Sequence, residues 1–218
     1  MLAVLAVRGL GGGTAESPVT SAWALAQSTG SYEFASDLSQ TTLPSGDVTS
    51  VGRTTSADRL HLEGVVGVDD HVAEVGIWNT TANGAFAGTA GMRIRVEDGT
   101  SSVSMAGGPW QQAGVPSVST GDPLAVLAAA RDVVAIGEER VDGQVLRGYR
   151  FAVDGRSLAD AMAAEGVAAS TSVAALSEYR NLSGTGVLWL DPSGLPSRQT
   201  LSLRIAGADG STIVSDIT

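Results

Sequence analysis

The chain has 218 residues, with 13 basic and 23 acidic side chains, a formal net charge of −10 and no cysteine. Those numbers exclude a basic nucleic-acid interface, disulfides, thiol catalysis and cysteine-based zinc sites. Hydrophobic residues make up 43% and charged ones 17%, which supports a buried core; with only 5% aromatics and 28 glycines, small aliphatics must fill that core between many turns.

The N-terminal stretch MLAVLAVRGLGGG is apolar for seven residues and then turns to Arg8 and glycines. A membrane span needs about 20 apolar residues, so residues 1–17 read as a tether or as the remnant of an export signal or anchor that lies upstream of Met1 or is truncated there. Residues 18–218 then read as a single domain, because no shift in composition divides them.

PVTSAWALAQST, from Pro18 to Thr29, has Val19, Trp23 and Ala26 at helical spacing and Gly30 as its stop. From there the period changes to two. Tyr32, Phe34 and Leu38 alternate with Glu33, Ala35 and Asp37. Leu60, Leu62, Val66 and Val68 oppose Arg59, His61 and Glu63, and Val75 and Ile77 oppose Trp78. Met92, Ile94 and Val96 oppose Arg93, Arg95 and Glu97, and after Asp98-Gly99 the chain returns through Val103 and Met105. Such alternation describes antiparallel strands with one polar face, joined by hairpins.

Asp122, Pro123 and the stripe Leu124, Leu127, Ala128 predict a helix start. Asp142-Gly143 predicts a tight turn between GEER and QVLRGYRFAV. Ser157 with Asp160 and Gly166 predicts a third helix, and Ser172 to Asn181 a fourth. The stretch GVLWLDPSGLPSRQTLSLRI then reads as a hairpin turning at Asp191 to Gly194, with Leu201, Leu203 and Ile205 on one parity.

Catalytic motifs are absent. The sequence has no GxSxG, SxxK or HExxH, and GLGGGT lacks the lysine of a phosphate loop. Glu138 and Glu139 are neighbours and would point to opposite faces of a strand, which suits surface charge better than an acid–base pair. Asp69, Asp70 and His71 read as a solvated turn, so no metal site is expected. The two sequons, Asn79-Thr80-Thr81 and Asn181-Leu182-Ser183, are too short to carry weight. No cofactor is implied, and a non-enzymatic role is expected; a hydrolase with an unrecognised site stays open.

Several segments together carry a likeness. The order is a helix with Trp23, the strand GSYEF, then GGPWQQ, DPLAVL, GEERVDGQVLRGYRFAVD and VLWLDPSGLPSRQTLSL. The most specific parts are G-E-x-x-V-D-G-x-x-x-x-x-Y and the hairpin bearing Trp189, Asp191, Gly194, Leu195, Pro196 and Arg198. From about Ser21 to Ile205 the chain resembles the LppX/LprAFG-type mycobacterial lipoproteins and, more distantly, the LolA/LolB/RseB-like superfamily.

The resemblance implies an α+β fold, a strongly curved antiparallel sheet (an incomplete β-barrel) with helices covering the concave face. It also implies an extracytoplasmic place at the bacterial cell envelope, and an apolar cavity for lipids or other amphiphiles. Tyr32, Phe34, Leu38, Leu60, Leu62, Met92, Ile94 and Trp189 are the candidate cavity residues. The lipobox cysteine of such lipoproteins is missing, so a lipid anchor does not carry over. A different class stays open as well: an RseB-like sensor or interaction domain that regulates an envelope protein.

Overall fold

The computed structural model describes residues 17–45, 54–69, 72–79, 91–97, 100–112, 123–164, 180–207 and 210–218, without the side chains of 161–164. The predicted turn Asp98-Gly99, the cap Asp122, the helix Ser172 to Asn181 except its last two residues, and Asp70 and His71 lie outside them, as does the tether up to Glu16.

Helix α1, Pro18–Gln27, starts where Ser17 accepts a hydrogen bond from the Thr20 amide and Pro18 occupies the first helical position. It ends before Gly30, whose φ of 82° is a left-handed conformation open to glycine.

Among the described residues eleven strands follow: β1 Ser31–Leu43, β2 Ser56–Gly67, β3 Val72–Asn79, β4 Met92–Glu97, β5 Thr100–Met105, β6 Gln111–Gln112, β7 Ala130–Val141, β8 Gln144–Asp154, β9 Leu182–Leu190, β10 Pro196–Ala206 and β11 Thr212–Ile217. They form one antiparallel sheet in the order β6-β5-β4-β3-β2-β1-β11-β10-β9-β8-β7. Among the described residues the sheet stays open, with β6 and β7 at its two edges, and is the expected curved half-barrel.

Two meanders therefore meet at one seam. The first runs outward from β1 and the second inward from β7, and β11 is inserted between β1 and β10. The pattern reading of the sequence had not marked β11 as a strand. Its alternation is short, and one of its two partners, β1, lies at the far end of the chain.

The helix expected after Pro123 is a 3-10 helix, Ala125–Ala129, because Ala130 turns straight into extended backbone at φ −65°, ψ 130°. Helix α2, Gly155–Ala164, is one turn longer at its start than expected. Its cap is Asp154, whose carboxylate accepts from the Ser157 amide (3.2 Å) and the Ser157 hydroxyl (2.7 Å); Ser157 sits three residues inside. These bonds from Ser157, with the Arg131 charge nearby, hold the Asp154 carboxyl below its ordinary 3.8.

The core lies on the concave face of the second meander. Val19 and Ala22 of α1, Val126 and Leu127 of the 3-10 helix, Phe151, Val153, Leu182, Leu188, Leu190 and Leu201 form one buried cluster. Leu188 and Leu127 are fully buried, worth about 1.5–3 kcal/mol each in apolar surface removed from water.

Candidate functional site: the concave face of the first meander

The cross-strand register assigns every strand residue to a face, since directly paired residues point the same way. Leu201 of the core pairs with Ile217, and Ile217 with Leu38, so Leu38 shares the concave face with the core. From Leu38 the same face runs through Tyr32, Phe34 and Ser36 of β1 to Leu60, Leu62, Gly64 and Val66 of β2. It continues through Ala73, Val75 and Ile77 of β3, Met92, Ile94 and Val96 of β4, and Ser101, Val103 and Met105 of β5.

Seven of the sequence-predicted residues thus gather on one apolar face: Tyr32, Phe34, Leu38, Leu60, Leu62, Met92 and Ile94. Val66, Val75 and Ile94 are buried on it, whereas Tyr32, Phe34, Leu38, Leu60, Leu62, Ile77 and Met92 are half-buried. Two hydroxyls on this face, Ser36 and Ser101, are buried with no hydrogen-bond partner among the described residues. A buried hydroxyl left unsatisfied costs about 1–3 kcal/mol, so both positions favour a polar atom brought from elsewhere.

Trp189 is placed elsewhere. Its neighbours Leu188 and Leu190 face the core, and the strand period turns the indole to the convex face. There it lies across Gly148, its direct cross-strand partner, with the Arg198 guanidinium 5.2 Å from the ring centre. Arg198 is held in turn by Glu139.

The convex face also carries a group that alternation alone reads as an exposed polar residue. His61 is only 9% exposed. Its Nδ1 is 2.8 Å from Asp37 Oδ1, its Nε2 is 3.2 Å from Glu63 Oε1, and the Trp78 ring lies at 5.7 Å with a 53° tilt. Burial opposes the charged ring, but the hydrogen bonds and charges of Asp37 and Glu63 outweigh it and raise the His61 pKa above the ordinary 6.5. With a carboxylate at each nitrogen, both must donate, which only the protonated ring can do.

Among the described residues no cluster of His, Asp and Glu could hold a metal ion. Two surface depressions are polar: one of about 480 Å³ lined by Arg156, Asp160, Arg180 and Asn181, the other of about 260 Å³ lined by Arg95, Glu97, Thr100 and Ser102. Neither brings a nucleophile together with a base. No helix among the described residues is long and apolar enough to cross a membrane.

No family model and no curated protein matches the chain. Among solved structures it is similar to the lipoprotein LppX of Mycobacterium tuberculosis, at 13% identity over 92% of this chain and 93% of that one, with a TM-score of 0.36. It is similar to LprF of Mycobacterium bovis, at 10% identity over 92% and 90%, with a TM-score of 0.37. A putative outer membrane lipoprotein-sorting protein domain from Vibrio parahaemolyticus is 7% identical over 89% and 88%, with a TM-score of 0.34. The LppX- and LolA-type likeness seen in the sequence thus returns among solved structures. Identities and scores this low leave the function to be argued from the chain's own residues.

Proposed function

We propose that the concave face of β1–β5 binds the acyl chains of a lipid or other amphiphile, and that the chain is a non-enzymatic carrier or binder. One observation carries the reading: large apolar side chains of five adjacent strands share a face that continues the core, yet many of them remain half-buried. An apolar ligand would complete that burial. Each methylene removed from water contributes about 0.8 kcal/mol, so roughly ten of them give a gross gain of about 8 kcal/mol, the scale of micromolar affinity. The orphan hydroxyls of Ser36 and Ser101 suit a ligand that is amphiphilic rather than a plain hydrocarbon. Following the sequence resemblance, the reading takes the bacterial cell envelope, outside the cytoplasmic membrane, as the place of work, with Tyr32, Phe34, Leu38, Leu60, Leu62, Met92 and Ile94 as the contacting residues.

The test is native mass spectrometry of the purified protein, with organic extraction of whatever accompanies it. Acyl lipid is expected to co-purify and to be lost in Leu62→Trp, whose circular dichroism stays that of the parent. A protein that is lipid-free and remains so after incubation with phospholipid micelles would overturn the proposal.

A further inference from the structure

Charge is distributed unevenly between the two sides of the sheet. On the first meander Arg59 pairs with Ser39, Arg93 with Gly76 and Arg95 with Glu74, so all three point to the convex side, as does His61. Arg93 and Arg95 are engaged there by Glu74 and Glu97. On the concave side of β1–β5 the only charged side chain among the described residues is Asp58, which pairs with Gln40. Beyond the described residues the sequence has Arg8, Arg53 and His71 as its only basic side chains, and the stretches 80–90, 113–122 and 161–179 hold none. A negative headgroup drawn onto this face thus meets no cation on it, in a protein whose net charge is already −10.

The polar atoms of the same face point to a different headgroup. Leu38 and Leu201 both pair with Ile217, one on each side of the seam. Ser36 and Gln199 each lie two residues nearer the start of their strands, so they stand level with one another and share the concave face. Ser36 Oγ and Gln199 Oε1 are both buried with no hydrogen-bond partner among the described residues. Gln199 pairs with the core residue Leu188, which leaves its amide oxygen beside apolar surroundings.

A ligand hydroxyl satisfies both atoms, because it can accept from the Ser36 hydroxyl and donate to the Gln199 amide oxygen. A carboxylate or a phosphodiester only accepts. It leaves the Gln199 oxygen unmet and is itself buried without a counter-charge.

Resting on the lipid reading above, we propose that the concave face selects uncharged, hydroxyl-bearing acyl lipids, with the hydroxyl seated between Ser36 and Gln199 and the chain laid across β1–β5. Anionic amphiphiles enter by their chains alone, with the charge left in water and the two polar atoms unmet.

The experiment offers one oleoyl chain with three heads: monooleoylglycerol, methyl oleate and oleate, each delivered from cyclodextrin at about pH 8, where the carboxylate is ionised, and followed by titration calorimetry. Expected is monooleoylglycerol binding about tenfold or more tighter than either of the others, the scale of one or two hydrogen bonds, with no dependence on salt. Ser36→Ala, its circular dichroism checked against the parent, should bring monooleoylglycerol down to the level of methyl oleate and leave methyl oleate unchanged. Oleate binding as tightly as monooleoylglycerol, or Ser36→Ala weakening all three ligands alike, would overturn the headgroup assignment while the lipid reading stands. Failure of all three to bind would overturn both.

Discussion

Three strand glycines are explained by the ring each one faces. Phe34 pairs directly with Gly64, Phe151 with Gly186 and Trp189 with Gly148, and in each pair the ring lies where a Cβ would stand. A glycine in a strand loses packing, and the aromatic partner restores it by covering the gap. The cost of refilling the gap depends on how freely the ring can move. At Gly186 a Cβ would come within 2.7 Å of Leu201 Cδ2 and 2.8 Å of Phe151 Cε1, and Phe151 is 1% exposed. Gly186→Ala should therefore cost about 1–3 kcal/mol in denaturant unfolding, partly recovered by adding Phe151→Leu. Gly148→Ala meets Trp189 Cζ3 at 2.7 Å on the convex face, where the indole can swing outward; it should cost less and shift Trp189 fluorescence to the red. His61 adds a pH dependence at the same scale. Its folded-state pKa is raised, so its contribution to stability is fully present below about pH 6.5, the unfolded value, and is lost as pH rises through the raised value. An NMR titration should place the folded pKa above 6.5, and His61→Gln should flatten that component of the stability profile; a folded value below 6.5 would contradict the two-carboxylate bracket.

Among the elements, strand period, turn chemistry and helix starts were open to reading from the sequence. Asp142 and Gly143 both have positive φ, 48° and 83°, as the two-residue turn requires, and Pro18 stands at the first position of α1 as expected. The start of α2 was less legible, because Asp154, Ser157 and Asp160 each offer a capping side chain and only the backbone decides which lies at the boundary. Asp154→Ala is expected to lower the melting temperature at neutral pH. Because the Asp154 pKa is depressed, the difference from the parent should be present above the ordinary 3.8 and disappear as pH falls through the lowered value. Leu188→Ala, beneath α1 and the 3-10 helix, should cost about 2–5 kcal/mol, the range for emptying a fully buried leucine site.

For the whole molecule the decisive pairing is the one farthest apart in sequence. β11 joins β1 to β10, and Asp37 and Thr218 exchange backbone hydrogen bonds of 2.9 and 3.0 Å at the end of that seam. Ending the chain at Gly207 should uncouple the two meanders, seen as a broadened or two-step melt in place of one transition; an unchanged single transition would mean that α1, which touches β1, β7 and β10, holds the halves together. The alternation of apolar and polar residues and the turn signals already specified antiparallel, one-sided strands, since these are local properties of the chain; the expectation of an apolar site came from the resemblance to the lipoproteins. A period of two grouped Tyr32, Phe34 and Leu38, Leu60 and Leu62, and Met92 and Ile94 strand by strand, and the cross-strand register put the three groups on a single face. Alternation and turn signals did not place Trp189 on the convex side, bury His61 between Asp37 and Glu63, or insert β11 at the seam. Parity states that two faces differ, but which one is concave and which strands are neighbours follow from pairings tens to nearly two hundred residues apart, and those exist only once the sheet has formed.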